Sequence, residues 1–538
     1  MANLIEKYAL PFFMVLFAIL FWVFFSNELV YDDILLVGKN STIRSEISLS
    51  QVFSQHLWEG TPQVDDSKGS YYRPLMVLSL IWDAKIWGTA YQQHHIQSLL
   101  WHLLCCALFY FWSKPLLTTR MAQVIAVCCF AIHPVQLEGV TFLAARNDTM
   151  ACAGVLGMML ALRHEKYIIA TITLVCALLS KESALLIPFV WIGMSWWEKR
   201  SIPKWGVISI LSAFTVYGIV RFEAGIPWPP SSQASISHLA TGFLVYSDHL
   251  IFPDMLLPAS HVLWPSAKEI VGGSIGLLSI ITMIRFAHKD RMWSLALLCA
   301  GILPAFAAIG QTGLAADRYL YIPMLGFSIL LGNTLSRHVK NVHTWGLSII
   351  ILYSIQSARI LPHWKSNVSL FTKAAEVHNS PYQAGALAKA LEEEGELDKA
   401  AFWYEKAVAP PLPYQHSCYN ITWIHLLRGD MKQIILSGEA ALLAGCEPSA
   451  ELNAPLALAY VTQGQWDKSQ KLLTKTTRDP RNIFHLVRLC LMVHNRDTSV
   501  LSVPSFQTAK EDIGKILSQS DPKALVWMND IPASAPDY

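Results

Sequence analysis

The sequence predicts an all-α protein in two parts: a polytopic bundle of membrane-spanning helices, then a water-soluble solenoid of paired helices. Three observations carry this reading. The 538 residues are 53% hydrophobic and only 15% charged, against about 25% charged in an ordinary soluble chain, and the mean hydropathy is +0.36. The charges are sparse before His363 and frequent after it. From Ser380 onward, a repeat of about 34 residues replaces the apolar runs.

The first apolar segment, Tyr8 to Phe25, is long enough at about 1.5 Å per residue to cross a bilayer. It lacks an Ala-x-Ala-like site and runs into Asn27-Glu28, so it reads as a retained span and not as a cleaved signal. Further spans are expected near 96–113, 120–134, 148–163, 166–180, 183–197, 204–222, 270–286, 292–309, 319–335 and 342–361. With the N-terminus cytoplasmic, Lys114/Arg120, Arg163/Lys166, Lys199/Arg200/Lys204, Arg285/Lys289/Arg291 and Arg337/Lys340 all fall on one side. That pattern follows the positive-inside rule and gives about eleven crossings. Parity then makes 239–252 interfacial, re-entrant or paired with a further short span. The outward stretches are 27–95, 135–147, the neighbourhood of Lys181-Glu182, 223–269 and 310–318. The soluble tail lies on the same face.

Domain boundaries follow: a membrane domain over 1–362, with outward loop 27–95, and a non-cytoplasmic repeat domain over 363–538. In the repeats, Gly395 is followed by Ala400, Tyr404, Ala407 and Pro411, and Gly464 by Ser469, Leu473, Thr476 and Pro480. Gly429, Ile434 and Ala441 form the weaker middle copy. A turn glycine with small residues five and twelve positions on resembles the tetratricopeptide repeat, whose stacked pairs bury a shared core. The end, 483–538, is expected to cap the stack or fold over it. Cys418, Cys446 and Cys490 are widely spaced and make no CxxC or metal pattern, leaving the redox compartment open. The other seven cysteines sit in apolar runs, as small hydrophobes. Nothing resembles a basic nucleic-acid-binding domain.

Against this frame the polar residues of the outward face stand out. Tyr31-Asp32-Asp33 follows the first span. Paired acids there are costly to desolvate and add nothing to the span, which makes them a candidate functional site. Tyr72, Arg73 and Pro74 close a loop of about 45 residues, long enough to be functional, whose segment 48–58 reads as an amphipathic surface helix. His94, His95 and His102, then His133 with Glu138, Arg146-Asn147-Asp148, Lys181-Glu182 and Asp317-Arg318-Tyr319 complete the set. Blander roles stand beside these. Asp33 suits a helix cap, His102 a packed core histidine, and Lys181-Glu182 an interfacial ion pair.

The order YDD, YYRPL, H-x6-H, FAIHPVQLE, ARND, LLSKESALLIP, ADRYLYIP and HWKSNVSLF resembles the tetratricopeptide-bearing transmembrane O-mannosyltransferases. These belong to the GT-C class of polyprenyl-phosphate-sugar-dependent glycosyltransferases. Ser98 stands where relatives often have Asn, and Ala145 where Gly often neighbours the arginine. The resemblance implies a GT-C fold and transfer of a sugar from a lipid-phosphate carrier to a Ser or Thr hydroxyl of a protein, outside the cytoplasm. Asp32 is then the general base, with Asp33 the close alternative. Arg73 and Arg318, with Arg146 third, would hold the donor phosphate. Glu138, His133, His95, His102, Tyr72 and Glu182 would bind or orient substrates.

Carboxylates at Asp32, Asp33 and Glu138 suit magnesium or manganese, but the sequence demands no metal. The Pro-rich region 226–265 is a candidate lid or wall for the lipid chain. The chain's length and short array point to a bacterial inner-membrane protein with a periplasmic tail; a eukaryotic version would place the tail in the ER lumen. Then Asn40, Asn147, Asn367 and Asn420 would be outward glycosylation sequons. The alternatives are an oligosaccharyl, lipid or cell-wall glycan transferase of the same fold, and a non-enzymatic scaffold or transporter.

Overall fold

A computed structural model describes residues 28–474 apart from 62–69, 229–235, 254–259, 262–266, 287–290, 313, 379 and 410–412, together with Val15 and Ala18. The first apolar segment, Pro411, Thr476, Pro480, the end at 483–538 and four of the six prolines in 226–265 lie outside the described residues. The chain divides into two compact units, Met1–Leu370 and Phe371–Tyr538.

The first unit is a helical bundle. Its helices are α1 (Pro74–Trp87), α2 (Tyr91–Ser113), α3 (Arg120–Ile132), α4 (Arg146–Arg163), α5 (Tyr167–Ser180), α6 (Ile187–Trp197), α7 (Lys204–Glu223), α8 (Ile236–Ile251), α9 (Ala267–Phe286), α10 (Arg291–Thr312), α11 (Pro323–His338) and α12 (Val342–Ile360). Short helical turns fill the connections, and two-residue strands at Ser260–His261 and Leu314–Ala315 pair antiparallel. Helix α3 is the centre, with every residue from Met121 to Ile132 buried, and α2, α11 and α12 pack on it. Helices α4 and α5 approach so closely that a Cβ on Gly154 would lie 2.7 Å from the Thr173 carbonyl oxygen. Cys105, Cys106, Cys128, Cys129 and Cys152 are buried, whereas Cys176 and Cys299 are exposed.

Among the described residues, five helical segments are long and apolar enough to cross a membrane: Tyr91–Leu116, Lys204–Glu223, Ala267–Arg285, Met292–Gly310 and Val342–Lys365. A sixth arises if Arg120–Ile132 and Pro134–Thr141, bent by 46°, count as one span. The spans expected at 148–163, 183–197 and 319–335 are helices of 18, 11 and 16 residues that fall outside this group. Ile168, Trp196 and Phe222 are 78%, 74% and 82% exposed, the condition of side chains that face lipid. One departure matters for the site. The outward stretch 27–95 is not loop throughout, because Pro74 starts the 14-residue helix α1, which is apolar but too short for an upright crossing. The amphipathic helix expected over 48–58 is confined to Leu49–Phe53, started by a Ser48/Gln51 capping box.

The second unit runs through α13 (Pro381–Glu393), α14 (Leu397–Ala407), α15 (Gln415–Leu427), α16 (Met431–Leu443), α17 (Ala450–Thr462) and α18 (Trp466–Thr474), each packed on the next. Gly395, Gly429 and Gly464 turn the chain within successive pairs at φ of +81°, +71° and +72°, the left-handed region that favours glycine. Ala400, Tyr404, Ala407, Ile434, Ala441 and Ser469, the repeat positions, are all fully buried. Cys418 and Cys446, apart in sequence, meet as a disulfide with Cα atoms 5.8 Å apart. Their spacing hid this, because a helix hairpin brings its two ends together.

Candidate functional site

The acidic pair is held by the folded segment 30–60. Leu36, Ile43, Trp58, Met76 and Leu80 form a small hydrophobic core with Leu143, fastening 30–60 over α1. Within it Tyr31 takes a φ of +54°, uncommon for a non-glycine residue, and its N–H donates to Asn367 Oδ1 at 2.7 Å. The Tyr31 ring lies 5.6 Å from that of Phe142. The two carboxylates that follow this strained corner differ in burial. Asp33 turns inward, is fully buried, and accepts the N–H groups of Leu143 at 2.9 Å and Ala144 at 2.7 Å. Burial pushes its carboxyl up to about 8, against the pull of those two amides. Asp32 stays half-buried and within electrostatic reach of Arg318.

Around Tyr319 the chain gathers cations. The Arg318 guanidinium bonds Glu138 Oε1, while the Arg318 N–H donates to Glu138 Oε2 at 2.7 Å. Burial alone would lower the Arg318 pKa; Glu138, Tyr319, Tyr31 and Asp32 raise it well above the ordinary value. Arg73 pairs with Glu182, its Nε and Nη2 at 3.1 and 3.0 Å from one carboxylate oxygen. Arg221 stands 4.0 Å from the other oxygen. Lys181 Nζ bonds both Asp148 oxygens, at 2.6 and 2.5 Å. Burial lowers its pKa to about 8 despite that partner, with Arg73 and Arg318 adding to the fall. Tyr319 is the hub, with Lys181 Nζ 4.9 Å and the Arg318 guanidinium 5.2 Å from its ring centre and the charge of Arg73 acting on its hydroxyl. Three cations on separate segments thus converge around Tyr319, one of them, Arg318, within electrostatic reach of Asp32, an arrangement that suits a phosphate dianion.

Other expected site residues lie inside the packing. Arg146 is completely buried, with Asp83 at 2.6 Å, Ser98 Oγ at 2.9 Å, Ser79 Oγ at 3.2 Å, Gln97 Oε1 at 2.5 Å and the His94 carbonyl at 2.7 Å. Every arm of its guanidinium is occupied, so Arg146 ties α1, α2 and α4 together, and Lys181 replaces it as the third cation. His102 bonds the Tyr321 hydroxyl at 2.6 Å and the Ala131 carbonyl at 3.0 Å, which makes it the packed histidine of the blander reading. His95 faces the Val140 carbonyl at 3.5 Å and is buried. His133 Nδ1 accepts the Val135 N–H at 3.2 Å, Nε2 faces the Leu250 carbonyl at 3.2 Å, and its ring packs on Tyr353. The Tyr72 hydroxyl donates to the Phe53 carbonyl at 2.8 Å. Of the orienting set, only Glu138 and Glu182 sit among the cations. Three sequon asparagines are also engaged: Asn40 caps a helical turn, Asn147 donates to the Ala144 carbonyl, and Asn367 holds Tyr31.

Among the described residues no group of three or more His, Cys, Asp or Glu is placed to hold a metal ion. The carboxylates proposed as ligands are separated by their partners, Asp33 facing backbone amides and Glu138 facing Arg318. Asp83 and Arg221 were missed at the sequence level. The readable signal was a charged residue inside each of two apolar helices, α1 and α7.

No family model and no solved structure matches the chain. Curated proteins do. A protein O-mannosyl-transferase of Caenorhabditis elegans is 23% identical over 381 residues, covering 65% of this chain and 55% of that protein. The human protein O-mannosyl-transferase TMTC1 is 22% identical over 466 residues, 71% of this chain and 53% of its own. The Drosophila melanogaster protein O-mannosyl-transferase Tmtc1 reaches 31% over 163 residues, 29% of this chain and 19% of its own. The chain therefore spans about half the length of the first two of these relatives. Over 65–71% of its length the chain is thus similar to proteins named protein O-mannosyl-transferases.

Proposed function

We propose that the chain is an inverting glycosyltransferase that moves one sugar from a polyprenyl-phosphate carrier to a Ser or Thr hydroxyl of a protein, on the non-cytoplasmic face. The observation that carries this reading is the convergence of Arg73, Lys181 and Arg318 around Tyr319, with Arg318 in electrostatic reach of Asp32. The acceptor hydroxyl oxygen forms the new bond to the anomeric carbon as the carbon–oxygen bond to phosphate breaks. The bonding pair leaves with the phosphate, and the hydroxyl proton passes to Asp32. Charge grows on the leaving phosphate, where preorganised cations stabilise the transition state more than the ground state. One displacement inverts the sugar carbon and needs a single base. Asp33 orients the loop through its two amide bonds.

The helix pairs of the second unit favour a peptide acceptor over a lipid one, since stacked helix hairpins commonly hold protein segments. The Cys418–Cys446 disulfide favours an oxidising compartment for that unit, in line with the charge bias of the loops. In membranes prepared without reductant, both thiols should resist maleimide and become reactive after reduction; reactivity without reductant would place the unit in the cytoplasm. The direct test supplies membranes with polyprenyl-phosphate mannose and other polyprenyl-phosphate sugars and reads modified Ser and Thr by mass spectrometry. Labelled protein is expected, and sugar appearing only on lipid or glycan would favour the oligosaccharyl or lipid transferase reading.

Lys181 gives this reading a pH signature. Its ammonium is lost as pH rises through about 8, removing one cation from the phosphate. The donor KM should therefore climb toward about tenfold per pH unit above that value. Lys181→Arg should flatten the limb, since a guanidinium stays charged. A wild-type KM that is constant well above pH 8 would take Lys181 out of donor binding.

A further inference from the structure

A polar pocket of about 330 Å³ opens between segment 37–46, the last turn of α1 and the start of α2, at the small end of the range of about 300–1,000 Å³ usual for ligand sites. The turn that joins the two helices builds it. Gly88 reverses the chain there at a φ of +58°, and His94 Nε2 lies 3.0 Å from the Gly88 carbonyl oxygen. A carbonyl only accepts, so Nε2 carries the proton and Nδ1 of the neutral ring is an acceptor. His94 is completely buried, and among the described residues its Nδ1 has no hydrogen-bond partner. An unpaired buried acceptor is costly, so this ring calls for a donor from outside the described residues.

The rest of the lining is charged. Arg44 commits Nη2 to the Gly38 carbonyl and to the Tyr91 hydroxyl at 3.2 Å, and its other N–H groups have no partner among the described residues. Lys85, exposed in the last turn of α1, is likewise without an ion-pair partner among them. Glu46 is the one carboxylate among the described lining residues. The 23-residue helix α2 starts here with no side chain capping its first turn, which adds the partial positive charge of a helix N-terminus. The balance favours a net anion. Helix α2 is long and apolar enough to cross a membrane, so its first turn marks a water boundary. Nearby on α1, Trp82, Ile86 and Trp87 are exposed, as side chains against lipid are. The transfer site is elsewhere. Lys85 stands twelve residues after Arg73, about 18 Å along the helix, and none of Asp32, Arg73, Glu138, Lys181 and Arg318 lines the pocket. We propose that this pocket binds a hydroxyl-bearing phosphate ester, the phosphoglycerol group, with its phosphate on Arg44 and Lys85 and a hydroxyl donating to His94 Nδ1. An ammonium group would also satisfy His94, but a zwitterion leaves the excess positive charge unmatched. Phosphoglycerol is offered by the headgroup of phosphatidylglycerol and by soluble glycerol phosphate. Once bound, it ties the segment that carries Asp32 and Asp33, through Arg44, to α1 and α2.

The test titrates the full chain in detergent with phosphatidylglycerol and with phosphatidylmethanol, which has the same charge and no headgroup hydroxyl. Native mass spectrometry counts the bound lipid. Phosphatidylglycerol should bind about tenfold more tightly, the effect of one hydrogen bond to an otherwise unpaired buried group. His94→Phe should abolish that preference while both lipids still bind. Lys85→Ala, a change at an exposed position, should weaken both lipids about tenfold and keep the preference. A second arm titrates the chain in phosphatidylcholine nanodiscs with glycerol phosphate. A lipid preference without soluble binding makes the ligand the headgroup. Soluble binding that His94→Phe or Lys85→Ala removes, without a lipid preference, makes it the free ester. The proposal fails if wild type shows neither, or if what it shows is unchanged in folded His94→Phe and Lys85→Ala. Should His94→Phe not fold, Lys85→Ala decides alone. Neither arm reads sugar transfer, so the outcome is independent of the reaction proposed above.

Discussion

Asp32→Asn should abolish sugar transfer, lowering kcat/KM by about 10²–10⁴ with little change in the donor KM, the usual worth of a general base. Asp33→Asn should behave differently, because both Asp33 oxygens already accept backbone N–H groups, from Leu143 and Ala144. An asparagine would turn its own NH2 toward one of those donors and leave a buried amide unsatisfied, at a cost of about 1–3 kcal/mol. Its losses should therefore appear in thermal stability and in a modest fall in transfer, through a loosened loop. Measuring kcat/KM and Tm for both variants separates the roles. Should Asp33→Asn lose all transfer at an unchanged Tm while Asp32→Asn keeps it, the base is Asp33 and the assignment is reversed.

Sequence patterns exposed the helices, and they left the roles of the polar residues between them open. Apolar runs located most helices of the first unit, because a long apolar stretch has few other stable forms in lipid. Helix α1 escaped, since its 14 mostly apolar residues resemble neither a full span nor an amphipathic surface helix. The repeat glycines Gly395, Gly429 and Gly464 were legible because a tight helical turn demands a positive φ, and each has one. Choosing among the arginines was not possible from spacing. Arg318 follows Asp317 and Arg146 stands two residues before Asp148, and only the fold shows Arg146 enclosed by Asp83, Ser98 and Gln97 while Arg318 keeps 18% of its side chain open. The disulfide was hidden for the same reason, since pairing across a helix hairpin leaves no local signature.

The Arg318–Glu138 pair supplies the second large effect and a way to divide structure from chemistry. Arg318→Met should both stop transfer and destabilise the fold. It strands the Glu138 carboxylate, 3% exposed, without its guanidinium, at a cost of about 3–5 kcal/mol. Adding Glu138→Gln removes that stranded charge while keeping an oxygen to accept the Arg318 backbone N–H at the same position. The double variant should then recover most of the wild-type Tm. If the guanidinium also stabilises charge growing on the leaving phosphate, recovery of the fold cannot restore the rate, and kcat should stay down by about 10²–10³. A double variant that regains Tm and kcat together would show that Arg318 serves only to neutralise Glu138. Donor binding would then rest on Arg73 and Lys181, whose own pairs with Glu182 and Asp148 could be dissected by the same double substitution.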